Sequence, residues 1–204
     1  MFKNPIIVFE GIEGSGKTSH CNFVSKYLKK KKIKYIRLRE PGGSKNSEII
    51  RKLILNKNSN FNKKTDLLLY LASRSENFSL IKNNFRKKII LIDRFTDSTI
   101  AYQHYGLGVE LPIIKKINQF LLGNIKPDFT FLNIVNKKNM KKRLKLRKKL
   151  NRYDKFDDHF YFKVQKGFLF LASKNKKKYQ IIDSNLELDH NKDLIKKKIE
   201  KLIK

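Results

Sequence analysis

Eight consecutive residues, Gly11-Ile12-Glu13-Gly14-Ser15-Gly16-Lys17-Thr18, match the spacing G-x-x-x-x-G-K-S/T. Glycines at these positions let successive backbone N–H groups turn toward phosphate oxygens where a Cβ would block the approach. Lys17 supplies a mobile charge for β- and γ-phosphates, and the Thr18 hydroxyl offers one ligand to Mg2+, which prefers oxygen donors shared with phosphates. The whole stretch from Gly11 to Thr18 is therefore the expected ATP cradle. A second element, Ile89-Ile90-Leu91-Ile92-Asp93-Arg94, is an apolar run ending in an acid. Asp93 is expected to hold Mg2+ directly or through water, beside the loop that follows the first strand.

These residues need a frame that brings strand ends together. Short β-branched or aromatic runs predict strands over Ile6 to Glu10, Tyr35 to Arg39, Ile89 to Asp93, Phe129 to Val135 and Tyr179 to Asp183. Helices are expected over Thr18 to Lys31, Ser47 to Leu55, Thr65 to Phe85, Leu111 to Leu122, Lys138 to Lys149, Phe156 to Ser173 and Asp189 to Ile203. The alternation predicts a three-layer α/β fold, a five-stranded parallel sheet flanked by helices. A single domain over residues 1–204 is expected, since no repeat or linker interrupts the 204 residues. The first helix-length segment directly follows the glycine-rich loop, so its N-terminal end faces the phosphates.

Charge bounds the partners. With 48 Lys+Arg against 18 Asp+Glu the net charge is +30, the footprint of a nucleic-acid or anionic-membrane binder. Yet 39 of the basic residues are lysines and only 9 are arginines, and Asn (19) and Ile (23) are also abundant. The codons of all three are A/T-rich, so base composition explains the set. Lysines are also spread along the chain, whereas a groove binder favours clustered arginine and stacking aromatics. The expectation is a solvated surface without a specific nucleic-acid site. Cys21 is the sole cysteine, which excludes an intrachain disulfide and fits a reducing cytoplasm. No apolar run approaches a membrane span, and no leader is expected at the N-terminus.

Four further segments carry a resemblance. Ile7-Val8-Phe9-Glu10-Gly11-Ile12-Glu13-Gly14, Arg39-Glu40-Pro41-Gly42-Gly43, Leu69-Tyr70-Leu71-Ala72-Ser73-Arg74, and Asp93-Arg94-Phe95 followed by Ser98-Thr99-Ile100-Ala101-Tyr102-Gln103 resemble, in order and spacing, the motifs of the thymidylate kinases. The resemblance spans nearly the whole chain. It implies ATP-dependent phosphorylation of dTMP to dTDP, with Mg2+, in a homodimer. It further implies that Glu13 holds the acceptor's 3′-hydroxyl, that Arg74 and Arg94 clamp its 5′-phosphate with Arg39 nearby, and that Tyr70 stacks on thymine. Pro41 would pack beside the base, and Ser98 and Gln103 would read its polar edge. Read alone, Tyr70 is ordinary helix core, with Leu67, Leu68 and Leu71 around it.

A basic lid is implied over about residues 143–155. Family members without an arginine inside the phosphate loop provide one from the lid, and Glu13-Gly14-Ser15 contains none. Arg147 and Arg152 are the expected catalytic arginines beside Lys17 and Arg94, with Arg143 a further candidate. Asn151-Arg152-Tyr153-Asp154 departs from the family's D-R-F/I-E, and Asn133 stands where the family often has Asp. Three rivals stay open: a kinase for dUMP or a deoxynucleoside, a nucleic-acid-stimulated ATPase, and a nonenzymatic nucleotide binder.

Overall fold

The computed structural model describes residues 4–146 and 151–203. Five parallel strands, β1 (Ile6–Gly11), β2 (Tyr35–Arg39), β3 (Ile89–Asp93), β4 (Phe129–Ile134) and β5 (Tyr179–Asp183), lie in the order β2-β3-β1-β4-β5. The expected sheet is present, with strand bounds within a residue of those read from the sequence. Ile6 to Phe9 of β1 are apolar without alternation because both faces of the strand are covered. Ile7 and Phe9 pack with Val24 and Leu28 of α1 (Lys17–Lys30) and Ile195 and Ile199 of α8 (Leu188–Ile203). Ile6 and Val8 point the other way, into a cluster with Phe95 and with Ile81 of α3 (Lys63–Asn84).

Register brings the chemistry to one edge. Phe9 pairs with Asp93, Arg39 with Asp93 and Gly11 with Asn133. The phosphate loop thus leaves the central strand flanked by the carboxyl ends of β3 and β4, where ligands bind in open α/β sheets. Two helices start earlier than the hydrophobic pattern indicates because of their caps. Ser44 accepts from Ser47 N ahead of α2 (Lys45–Leu55), and Asn62 accepts from Lys64 N and Thr65 N ahead of α3.

Residues 96–106 correct the sequence reading, which placed no element there. They form a short helix, α4 (Thr96–Thr99), running into a π-helical segment, Ile100–Gly106. The segment packs against α7 (Asp158–Lys174), and its close approach depends on Gly106: an added Cβ would lie 2.6 Å from Phe160 Cε2. α5 (Leu111–Leu122) completes this face. α6 spans Lys137–Lys145, so the expected helix over Lys138 to Lys149 is seen only in its first part. Its remainder, with Arg147, lies outside the described residues. Among the described residues no helix is long and apolar enough to cross a membrane.

Candidate active site

The phosphate loop begins at Gly11, whose φ of 143° places it where side chains are rarely tolerated. A Cβ there would collide with the Asn133 carbonyl and lie 2.6 Å from Ser15 Oγ. Gly11→Ala is therefore expected to cost about 1–3 kcal/mol in backbone strain and more in displaced structure, and to abolish detectable ATP binding. Thermal melting and nucleotide titration check both. Within the loop Ile12 anchors in the core, 3% exposed, while Gly14 and Gly16 take φ of 71° and 84° before α1 opens. Lys17 Nζ donates to Ile12 O at 3.2 Å, and Ser15 N to the same carbonyl at 3.3 Å. Thr18 Oγ1 donates to Asp93 Oδ2 at 2.6 Å. The two oxygen donors expected for Mg2+ therefore meet at the mouth of the loop, and hydroxyl plus carboxylate is a donor set suited to it.

Asp93 is followed by a residue with an unusual backbone. Arg94 has φ of 69°, a conformation that costs a non-glycine residue about 1–2 kcal/mol. Its side chain is held on every side: Nη1 donates to Gly11 O at 2.8 Å and Ser98 Oγ at 3.2 Å, and Nη2 to Glu13 Oε1 at 2.6 Å and Tyr102 OH at 3.3 Å. The Tyr102 hydroxyl in turn donates to Glu13. Burial opposes the Arg94 charge, but Glu13 and then Tyr102, Asp93 and Glu10 outweigh it and hold the guanidinium above its usual range.

Behind Arg94 lies a buried acid that sequence reasoning left unassigned. Glu10, 1% exposed, accepts Phe95 N at 2.8 Å, Ser98 N at 3.2 Å and Ser98 Oγ at 2.5 Å. Burial first, then repulsion from Asp97, pushes its carboxyl up to about 7. A carboxyl raised in the folded state favours folding most below its unfolded value, and that contribution is lost as pH climbs to the folded one. Between pH 4.5 and 7 this residue thus lowers stability progressively. Glu10→Gln is expected to flatten that part of the melting-temperature profile, and an unchanged slope would contradict the assignment.

A groove of about 530 Å³ opens in front of these residues. It brings together eight of the expected site residues, namely Glu13, Lys17, Thr18, Arg39, Pro41, Tyr70, Asp93 and Arg94. Arg39, half exposed, forks onto Glu48 of α2 through Nε (3.1 Å) and Nη2 (2.8 Å). Burial pushes the Tyr70 phenol up to about 12, so the ring is a neutral wall. Two further arginines line the groove, Arg37 and Arg51, and Arg51 Nη1 donates to Pro41 O at 2.5 Å. Neither was found from sequence, although their scarcity in a chain with 9 arginines was a usable signal.

Four expected residues are placed otherwise. Arg74, expected on the acceptor phosphate, is 1% exposed and does not line the groove. Its Nε donates to Glu40 Oε2 at 2.8 Å, Nη1 to Asn118 Oδ1 at 2.6 Å and Nη2 to Thr99 Oγ1 at 3.0 Å. The buried Glu40 carboxylate draws the guanidinium into the protein, because neither charge is satisfied there alone. Ser98 and Gln103, expected at the base edge, instead bond Glu10 and, at 3.1 Å, Asp66 Oδ2. Asp66, buried in α3, also takes the Tyr153 hydroxyl at 3.0 Å and pairs with Arg152. Arg152 therefore fastens the segment Arg152–Lys155 to α3. Arg143 reaches the phosphate loop: Nη1 donates to Gly14 O at 2.9 Å and Nη2 to Ser184 O at 2.5 Å. Asn133 meets His20 Nδ1 at 2.5 Å and donates to Glu10 O at 3.2 Å.

Known proteins resemble this chain over almost its full length. A family model described as thymidylate kinase matches residues 9–195. The thymidylate kinase of Thermosipho africanus is 40% identical over 197 residues, covering 96% of this chain and 97% of its own. That of Mycoplasma capricolum is 38% identical, covering 90% and 88%. The crystal structure of thymidylate kinase from Ehrlichia chaffeensis superposes with a TM-score of 0.78 at 31% identity, over 96% of this chain and 98% of that one. A family model that matches nearly the whole chain, with relatives up to 40% identical over the same length, shows that the chain belongs to the thymidylate kinase family.

Proposed function

We propose that the protein transfers the γ-phosphoryl group of ATP to dTMP, giving dTDP for dTTP synthesis. The observation that carries this reading is the Glu13–Arg94 pair at 2.6 Å, which ties the phosphate loop to the acceptor groove. A donor bound on the loop and an acceptor held by Arg94 would meet across that pair. The acceptor is itself a phosphate whose second pKa is about 6, so it is an ionised nucleophile at neutral pH and needs no general base. Positioning and charge neutralisation then supply the catalysis.

Lys17 and the loop N–H groups bind the β- and γ-phosphates. Mg2+ held by Thr18 and Asp93 would neutralise charge on the ATP phosphates. Arg94, with Arg51 and Arg39 beside it, binds the acceptor phosphate, for which a planar fork is suited. Glu13 holds the sugar hydroxyl, while Tyr70 and Pro41 wall the base. Ser98 and Glu10 fix Arg94, and Arg152 docks the lid on Asp66. Arg147 is the lid residue assigned to the transferring phosphoryl, and Arg143 steadies the loop itself. Label from γ-labelled ATP is expected to appear in dTDP. Its release as inorganic phosphate would overturn the reading.

The same reading includes a homodimer in the cytoplasm. Phe120 of α5 is 85% exposed, with Phe162 and Phe170 of α7 half exposed, an apolar load suited to a second copy. Light scattering is expected to give twice the 24.2 kDa chain mass, and Phe120→Asp to weaken association.

A further inference from the structure

A second cavity, about 640 Å³ and so larger than the acceptor groove, lies between α4, the C-terminal end of α5, and residues of β4 and β5. Its size falls within the range of small-molecule sites, which combine apolar walls with a few convergent polar groups. Here Ile100 and Leu122 supply wall, while Asp97, Asn118 and Tyr179 supply the polar groups. The Tyr179 hydroxyl donates to Asp97 Oδ2 at 2.6 Å. Burial raises both groups, a mark of functional pockets when it coincides with such geometry.

One chain of hydrogen bonds and one electrostatic link run from this cavity to the acceptor groove. Asn118 Oδ1 holds Arg74 Nη1 at 2.6 Å, and Arg74 holds Glu40, which lines the groove beside Pro41. Asp97 opposes the charge of Glu10, whose partner Ser98 Oγ receives Arg94 Nη1. Any occupant that bonds Asn118 or changes the surroundings of Asp97 therefore acts on both walls of the acceptor site.

We propose that this cavity is a second nucleotide site, taking a nucleoside phosphate that modulates acceptor binding. The carboxylate and amide suit the polar edge of a planar heterocycle, and the apolar walls suit its faces. Lys116, Lys126 and Lys178 stand at the cavity for the phosphates. Lysines are common over this whole chain, so they alone select nothing; Asp97 and Asn118 on the same cavity wall, with their separate connections, do. The modulation rests on the proposed reaction, but binding does not.

The test is calorimetric titration of dTTP into full-length protein whose catalytic cleft is filled with AMPPNP and dTMP. One further equivalent of dTTP is expected to bind. Lys116→Glu/Lys126→Glu is expected to weaken it about tenfold or more while leaving AMPPNP and dTMP binding unchanged. In turnover assays dTTP is then expected to change KM for dTMP by a finite factor that saturates as dTTP rises, and the double variant to lose that effect. Absence of heat once the cleft is filled, indifference to the charge reversal, or equal affinity for inorganic tripolyphosphate would overturn the proposal. Failure of AMPPNP and dTMP themselves to bind would count against the acceptor-groove reading, and titration of dTTP into the protein alone would still decide this one.

Discussion

Replacing Arg94 with alanine is expected to lower kcat/KM for dTMP by about 10³-fold or more while ATP affinity stays essentially unchanged. Removal of a single preorganised donor from a site where charge develops costs about 10²–10³ in rate, and Arg94 carries more than one such contact. Its loss also strips Glu13 of a 2.6 Å partner at a position only 13% exposed, leaving a carboxylate that repels the incoming phosphate. Arg94→Lys keeps the charge but cannot reproduce a fork that reaches Gly11 O, Ser98 and Glu13 together. It is expected to recover no more than about one decade. Steady-state kinetics with varied dTMP, paired with ATP titration, separate the two effects. A variant with unaltered dTMP kinetics would remove Arg94 from the acceptor site.

Arg74→Ala is expected to act in a different way. The motif around Tyr70 suggests a second phosphate clamp, and on that reading the variant would melt normally and fail only with dTMP. The structure instead puts Arg74 in a buried pair with Glu40, both under 5% exposed, at 2.6 Å. Breaking such a pair costs about 3–5 kcal/mol because a buried charge loses its partner. For a chain of this length each kcal/mol shifts melting by about 2–4 °C, so a fall of about 6–20 °C is expected. Burial already pushes the Glu40 carboxyl up, with Arg74 the largest opposing influence. Arg74→Ala/Glu40→Gln should therefore regain part of the loss, since the stranded charge is gone. A single variant that melts like the parent while dTMP turnover disappears would restore the phosphate role.

The difference between Arg94 and Arg74 shows where the sequence could be read and where it could not. The cradle from Gly11 to Thr18 is contiguous, and its chemistry follows from local spacing. The inner strands β1 and β3 were legible because a strand covered on both faces reads as an apolar run, here Ile6 to Phe9 and Ile89 to Ile92. Arg94 adjoins Asp93, so a strand end already places it. Arg74 is placed by Glu40, 34 residues away, and by Asn118, 44 residues away, and no local pattern records those partners. Arg152 is likewise turned by Asp66 on a distant helix. The π-helical segment has no periodicity of its own to find, since its course is set by Gly106 lying against Phe160. Arg51 and Arg37 stand in no motif, and only their rarity beside 39 lysines marks them in the sequence.

The charge of +30 gives the strongest competing account of the phosphate cradle, namely ATP turnover driven by a nucleic acid. One measurement addresses both: ADP release from Mg-ATP with dTMP, dUMP, AMP, thymidine, single-stranded DNA or no acceptor, at low and high salt. Turnover with dTMP well above every other mixture, and nearly independent of salt, is the expected result. Turnover that requires DNA and falls steeply with salt, or that is absent in every mixture, would contradict the assignment of the groove to a nucleoside monophosphate.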